Sequence, residues 1–333
     1  MTAAFDSNTA ALPLTSRLVN GILSIKPLAL LAKHNARNMM IKRAESIGVY
    51  WRQEVAALRA RGEAATFSAA WEADLAAVQN PDLVYPNYYC CSFHAYEEGN
   101  LGWEPAMEVE VAAHAVHARI WPEGGAEGDT RLRQSFLDIL KEQGPQNPTD
   151  ILDLGCSVGM STFALQSLYP QAALTGVDLS PYFLAIAHHR SRTGRKPNSL
   201  HTLQVLGPSP TSPPPQWLHA AAEQTGLPDA SFDLVSAFLI FHELPQSAAV
   251  QILREARRVL RPGGTFALMD MNPKSEIYAK MPPYILTLLK STEPYLDQYF
   301  SLDLERALVE AGFEPPTTTC NTPHHRTVIA RAR

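Results

Sequence analysis

Four cysteines in 333 residues are too few and too poorly spaced to staple a fold or hold a metal. Cys90 and Cys91 are adjacent, while Cys156 and Cys320 stand alone. Neither a disulfide framework nor a ligand spacing can be drawn, so a reducing compartment is expected. Basic clusters are also missing. The 28 Lys and Arg stand against 33 Asp and Glu, for a formal charge of −5. This argues against nucleic acid as a partner, because neutralising a phosphate backbone takes clustered cations. Long apolar runs are absent as well. The stretch LVNGILSIKPLALLA is broken by Lys26 and Pro27, falls short of the roughly 20 residues of a membrane span, and is followed by no small-residue cleavage site. A cytoplasmic location is expected, with plastid or peripheral membrane as alternatives. Basic residues outnumber acids from Arg17 to Arg59, which leaves room for at most a weak membrane-surface contact; the plainer reading is a solvated helix face. Internal repeats are absent. The pairs His188-His189 and His324-His325 diverge on a helix or strand and read as surface residues, so no metal is expected.

What is present is a chain with 46% hydrophobic residues, enough for one large or two modest domains. From about Leu14 to Gly144 apolar residues recur at three- and four-residue spacing, which predicts helices. From Asp150 onward short apolar runs alternate with helical patterns. DILDLG, ALTGVDLS, WLHAAAE, FDLVSAFLIF and TFALMDM read as strands, MSTFALQSLYP, PYFLAIAHHRSR and SAAVQILREARRVL as helices. The tail reads as a helix closed by Gly312 and then a pair of strands, and GPSPTSPPPQ as an exposed excursion. The expected architecture is an α/β Rossmann-like sheet, mostly parallel with its last strand antiparallel. Residues 146–333 form that domain, and residues 1–145 form a helical cap and substrate lid.

The loop GCSVG follows the first strand. A dinucleotide fold asks there for G-x-G-x-x-G, because backbone must approach a pyrophosphate closely. Here the central position is Ser157, and Asp153 precedes Gly155 by two residues, where its charge would repel a pyrophosphate. An ammonium group suits that acid. About twenty residues on, Asp178 ends the next strand, where a carboxylate accepts from both ribose hydroxyls. A ribose without pyrophosphate is implied, and S-adenosylmethionine meets both constraints. Without a pyrophosphate to cradle, Ser157 is tolerable.

Four motifs in order, ILDLGCSVG, GVDLSP, AAAEQTGLPDASFDLV and ARRVLRPGG, resemble class I S-adenosylmethionine-dependent methyltransferases. The likeness is to the small-molecule branch, of the methyltransferase type 11 and ubiquinone-menaquinone kind, and covers about Asp150 to the C-terminus. The resemblance implies that Asp153, Gly155, Cys156, Ser157 and Gly159 line the methionine end, with S-adenosylhomocysteine as the product. It further implies that Asp178 holds the ribose, that Leu179 and Ser180 flank the adenine side, and that Ala222 and Glu223 reach the adenine edge, with Phe238 ending the fourth strand. This chain has Ala221 where the family usually has an aspartate, so backbone groups are expected to serve the adenine amine.

On the acceptor side, His242 and Glu243 in FLIFHELP are the best-placed ionisable residues, with His242 the first choice as general base. The aromatic stretch FHAYEEGNLGWEP supplies candidate substrate contacts in His94, Tyr96, Glu98 and Trp103, while Glu108 and Glu110 read as helix-face charges. The expected reaction is methyl transfer to carbon or oxygen of a small, apolar or aromatic acceptor. Rival readings are an aminopropyltransferase, which would need an acidic groove, and a non-catalytic assembly or regulatory factor on the same fold.

Overall fold

The computed structural model describes residues 26–92, 96–193 and 212–333. Before the sheet the chain is helical: α1 (Lys26–Ser46), α2 (Trp51–Ala60), α3 (Ala70–Val78), α4 (Trp103–His117) and α5 (Gly128–Gln143). Strands and helices then alternate: β1 (Asp150–Leu154), α6 (Met160–Leu168), β2 (Ala173–Asp178), α7 (Pro181–Thr193), β3 (Gln216–His219), β4 (Phe232–Phe238), α8 (Gln246–Val259) and β5 (Leu260–Met271). An insertion of short helices follows, α9 (Glu276–Ala279), α10 (Pro283–Thr292) and α11 (Leu296–Ser301). The chain closes with α12 (Leu304–Ala311) and the hairpin β6 (Thr317–Cys320) and β7 (His325–Arg331).

The sheet runs β3-β2-β1-β4-β5-β7-β6. β1 to β5 pair in parallel and β7 runs antiparallel to β5, in the mostly parallel arrangement the sequence predicts. Alternation along the strands splits the core into two layers. Leu152 and Leu154 face the layer built with α8 and α12, and Ile151 faces the layer built with α5 and α6. In α8, Ala249, Ile252, Leu253 and Ala256 form the buried stripe that three- and four-residue spacing specifies. Gly312, with φ 102°, ends α12 in the left-handed conformation its neighbours would resist.

A third cluster joins the N-terminal helices to the sheet. Trp51, Trp71, Met107 and Val111 pack with Phe183 and Ile186 of α7 and with Val158 and Met160 beside the glycine loop. Helix-face charges were expected in this region, and the structure corrects that. Glu108 and Glu110 are 3% and 7% exposed, paired with Arg37 and Arg190 respectively, while Arg190 also donates to the Val158 carbonyl. Nor are the histidine pairs at the surface. His188 Nδ1 lies 3.0 Å from Asp74, which also pairs with Arg61 and Arg192. His189 and His325 are buried. For Glu108, Glu110, His188 and His189 the covering partner is remote in sequence, and periodicity carries no record of it. Among the described residues no group of three or more His, Cys, Asp or Glu side chains gathers as for a metal, and no helix is long and apolar enough to cross a membrane. Residues 207–211 of the Gly207–Gln216 excursion lie outside the described residues.

Candidate cofactor and acceptor site

The carboxyl ends of β1, β2, β3 and β4 form the edge where ligands of doubly wound sheets bind. The loop after β1 is shaped by its packing. Gly155 has φ +67°, and a Cβ there would lie 2.4 Å from Ile240 Cδ1. Gly159 has φ +86° and leads into α6; its Cβ would meet Trp217 at 2.8 Å. Ser157, not glycine, also adopts positive φ, at 51°. That strain is held by a bond: its main-chain N–H donates to Asp178 Oδ2 at 2.8 Å. The other Asp178 oxygen accepts from Ser180 N at 2.7 Å. Ser180 in turn donates to the Asn100 carbonyl at 2.7 Å and accepts from Phe183 N, capping α7.

Asp153 is fully buried. Its Oδ2 accepts from Ser161 and Thr162, each at 2.6 Å, while Oδ1 has no hydrogen-bond partner among the described residues. Burial pushes both Asp153 and Asp178 up to about 6, against the hydrogen bonds that favour their charged forms. Cys156 is buried, and desolvation followed by the neighbouring Asp178 and Asp153 charges pushes its thiol up, so it stays protonated. The Gly155 and Cys156 N–H groups both donate to the Val177 carbonyl.

The chain's own atoms fit S-adenosylmethionine. Asp153 Oδ1 and Ser157 Oγ are buried acceptors without partners among the described residues, suited to an ammonium or other donor from the ligand. A carboxylate offers about four acceptor positions. Asp178 has filled two from the main chain, which leaves capacity for two ribose hydroxyls. Leu179 and Ala222, 8% and 7% exposed, follow the carboxyl ends of β2 and β3.

Two features of this edge are hidden in the sequence. The first is Asp270, near the end of β5 and 0% exposed. Its Oδ1 lies 2.8 Å from His242 Nδ1 and accepts from Met271 N, and its Oδ2 accepts from Phe241 N at 2.8 Å. His242 sits in the turn after β4 with Nε2 4.0 Å from Glu243. Burial alone would lower its pKa, but Asp270, and then Glu293 and Glu243, raise it to about 10. The only signal in the sequence is an acid in an otherwise apolar strand, TFALMDM. Phe238, just before, packs edge-on to Phe136 with the Arg133 guanidinium 4.5 Å from its ring.

The second is a strap from the N-terminal region. Asn80 N donates to His219 Nδ1 at 2.9 Å, so Nε2 carries the ring proton and donates to the Leu179 carbonyl at 3.0 Å, with the Tyr85 hydroxyl at 3.2 Å. Tyr89 stacks on Tyr85, and burial together with the Asp178 and Glu243 charges holds its phenol protonated. Tyr88 donates to Glu223 and packs against Tyr295 of the insertion. Among the substrate contacts expected from sequence, Tyr96 donates to Glu108 at 2.6 Å, Trp103 packs on Phe67, Trp71 and Tyr182, and Glu98 lies against Gly102. His94 is outside the described residues. The strap residues that reach the sheet edge are Tyr85, Tyr88 and Tyr89.

Residues 152–268 match a family model described as a methyltransferase domain. The chain is 29% identical over 186 residues to an uncharacterised methyltransferase of Synechocystis sp., covering 56% of this chain and 75% of that one. It is 28% identical over 134 residues to the demethylmenaquinone methyltransferase of Listeria welshimeri, covering 40% of this chain and 49% of that one. The chain thus spans about half the length of the Listeria relative. A crystal structure of a Nostoc punctiforme protein provisionally assigned as an O-methyltransferase has the same fold, with a TM-score of 0.51 at 15% identity over 85% of this chain and 73% of that one.

Proposed function

We propose that this chain is a class I S-adenosylmethionine-dependent methyltransferase and that it methylates carbon or oxygen of a small apolar or aromatic molecule that surrenders a proton. The observation that carries the reading is the His242–Asp270 pair at the end of β4, beside the loop that fits the cofactor. When bound, S-adenosylmethionine supplies an electrophilic methyl group. The residues that would hold it are Asp153, Ser157, Asp178, Leu179 and Ala222. Displacement at such a methyl needs little covalent help, so holding the acceptor in line supplies much of the acceleration, about 7–11 kcal/mol for well-oriented groups.

Asp270 fixes Nδ1 of His242 as a donor and leaves Nε2 to face the acceptor. With its pKa raised to about 10, His242 is already an imidazolium at neutral pH, so it favours an acceptor that has lost its proton to solvent and donates from Nε2 to the resulting phenolate or enolate. Tyr88, Tyr89 and Tyr295 give the acceptor side aromatic faces, and the same demand for a flat, apolar partner follows from them. One observation favours a second acceptor class. Glu243 and Glu293 also act on His242, so an amine would find carboxylates there.

The test is label transfer from methyl-labelled S-adenosylmethionine to a panel of phenols, quinols, 1,3-dicarbonyls and amines. Transfer to a phenol, quinol or dicarbonyl that falls at least about a hundredfold in His242→Ala, with S-adenosylhomocysteine binding unchanged, supports the reading. Transfer to amines alone replaces it by the second class. Equal turnover by His242→Ala refutes the role of the pair.

A further inference from the structure

We propose that Arg326 of β7 binds a carboxylate carried by the methyl acceptor, so that the acceptor is an organic acid and not an uncharged molecule. The inference rests on the methyltransferase reading above and deepens it, because nothing in the His242–Asp270 pair specifies a charged group on the acceptor.

A guanidinium keeps its charge at every physiological pH, so burying one without an anion is costly. Arg326 is 7% exposed, its Nε is buried with no hydrogen-bond partner, and it forms no ion pair among the described residues. Asp270 is the acid best placed to serve it, since the two stand opposite each other where β5 and β7 pair. Asp270 is already occupied. Its Oδ1 faces His242 Nδ1 and accepts from Met271 N, and its Oδ2 accepts from the Phe241 and His242 N–H groups. Those contacts use up the roughly four acceptor positions of a carboxylate. The charge on Arg326 is left for a ligand to neutralise.

Position ties this charge to the acceptor. β7 runs antiparallel to β5, so Arg326, near the start of β7, lies at the carboxyl edge that also carries the glycine loop and His242. Directly opposed residues of an antiparallel pair project to one face. Arg326 therefore shares the face of Asp270, which the insertion covers. Tyr299 of α11 marks where its head lies: the Tyr299 hydroxyl donates to the carbonyl of Met271, the last residue of β5, at 2.7 Å, and the Asp270 and Arg326 charges both act on that phenol. Tyr278 of α9 closes the same face, its ring 6.0 Å from that of His324, and Asp270 acts on its phenol too. His324 Nδ1 is a further buried nitrogen without a partner among the described residues. The Tyr278 and Tyr299 rings and these unpartnered nitrogens surround a place for an anion. The cofactor's own carboxylate does not reach it, because the loop after β1 is separated from β7 by β4 and β5, with neighbouring strands about 4.8 Å apart. Charge also changes sign across the pocket. Glu243 and Glu293 act on His242 at the end of β4, and the lone cation stands at β7. A molecule with its reacting hydroxyl or enol at one end and a carboxylate at the other is oriented by that difference, and the planar fork of arginine matches a carboxylate through paired N–H bonds.

The experiment is calorimetric binding, near neutral pH, of 4-hydroxybenzoate, 4-hydroxyphenylacetate and 4-hydroxycinnamate, and of their primary amides, to the chain saturated with S-adenosylhomocysteine. It is run on the wild type, Arg326→Gln and Arg326→Met. At least one acid is expected to bind the wild type at least about tenfold more tightly than its own amide, the worth of a charge-assisted hydrogen bond. Arg326→Gln should bring that acid to within about threefold of the amide and leave the amide unmoved. Arg326→Met, which removes the charge and keeps an apolar stem, should do the same and carries the test where Arg326→Gln does not fold. Amides that bind the wild type as tightly as their acids, a failure of every acid to bind, or a preference unchanged in the variants overturns the proposal, while binding of S-adenosylhomocysteine leaves the methyltransferase reading standing. A wild type that does not bind S-adenosylhomocysteine removes that reading, and this proposal with it.

Discussion

Replacing Asp270 by asparagine probes the proposed acid–base pair where its energetics are largest. In the wild type His242 is raised from 6.5 to about 10. At 1.36 kcal/mol per unit this is a preference of about 5 kcal/mol for the charged ring. It sits at the top of the range of about 3–5 kcal/mol for breaking a buried ion pair. Asparagine removes the charge but not the shape. Whichever way its amide turns, the NH2 group meets a main-chain donor, because Oδ1 accepts from Met271 N and Oδ2 from Phe241 N. One of those N–H groups loses its acceptor, a further cost of about 1–3 kcal/mol. With Asp270 gone, desolvation of His242 is opposed by Glu293 and Glu243 without their larger partner, and its pKa falls well below the wild-type value. The assay is an NMR titration of the histidine ring carbons, paired with urea unfolding. The stabilising effect of the pair is fully present below about pH 6.5 and is lost as pH rises through about 10. Wild type should therefore outlast Asp270→Asn most at pH 6 to 7 and least near pH 10. A His242 resonance that titrates below 7 in the wild type, or stays above 8 in Asp270→Asn, refutes the reasoning.

Gly155→Ala forces a Cβ to within 2.4 Å of Ile240 at φ +67°, and should cost about 1–3 kcal/mol in a urea melt and weaken S-adenosylhomocysteine binding; unaltered affinity and midpoint count against the cradle. Asp153 and Asp178 are raised from 3.8 to about 6 by burial. The ligand-free chain should therefore lose stability as pH climbs from about 4 through 6, and S-adenosylhomocysteine should raise the melting temperature more at pH 7.5 than at pH 5. A thermal shift independent of pH contradicts ionised acids at the site. Asp74→Asn removes the carboxylate shared by Arg61, His188 and Arg192. The expected loss is about 3 kcal/mol, the lower end for a buried pair because Arg192 remains in water, and an unmoved urea midpoint shows that the cluster does not hold α3 to α7.

Legibility from sequence followed the kind of force involved. Strands β1, β2 and β4 are apolar runs flanked by turn residues, and burial alone specifies them, so their places were predictable. The positions of Asp153, Gly155, Gly159 and Asp178 at or just after strand ends were legible because the apolar runs before them fix where the strands stop. What escaped depends on partners far along the chain. Asp270 meets His242 across 28 residues, His219 meets Asn80 across 139, and Glu110 meets Arg190 across 80. An acid in a strand and a histidine at its end look like defects in an apolar pattern until the fold supplies the other half. The same holds for the aromatic stretch. Its richness in Tyr, Phe and Trp announced a covering segment, but which rings face the sheet edge and which dock the helices is decided by packing against α7 and the insertion.

The most direct test of the central claim is isothermal calorimetry of the purified chain with S-adenosylmethionine and, separately, S-adenosylhomocysteine. The site predicts micromolar binding of both, abolished or weakened by about 2–4 kcal/mol in Asp178→Ala through two lost ribose hydrogen bonds. Absence of binding by the wild type, or equal binding by Asp178→Ala, contradicts it.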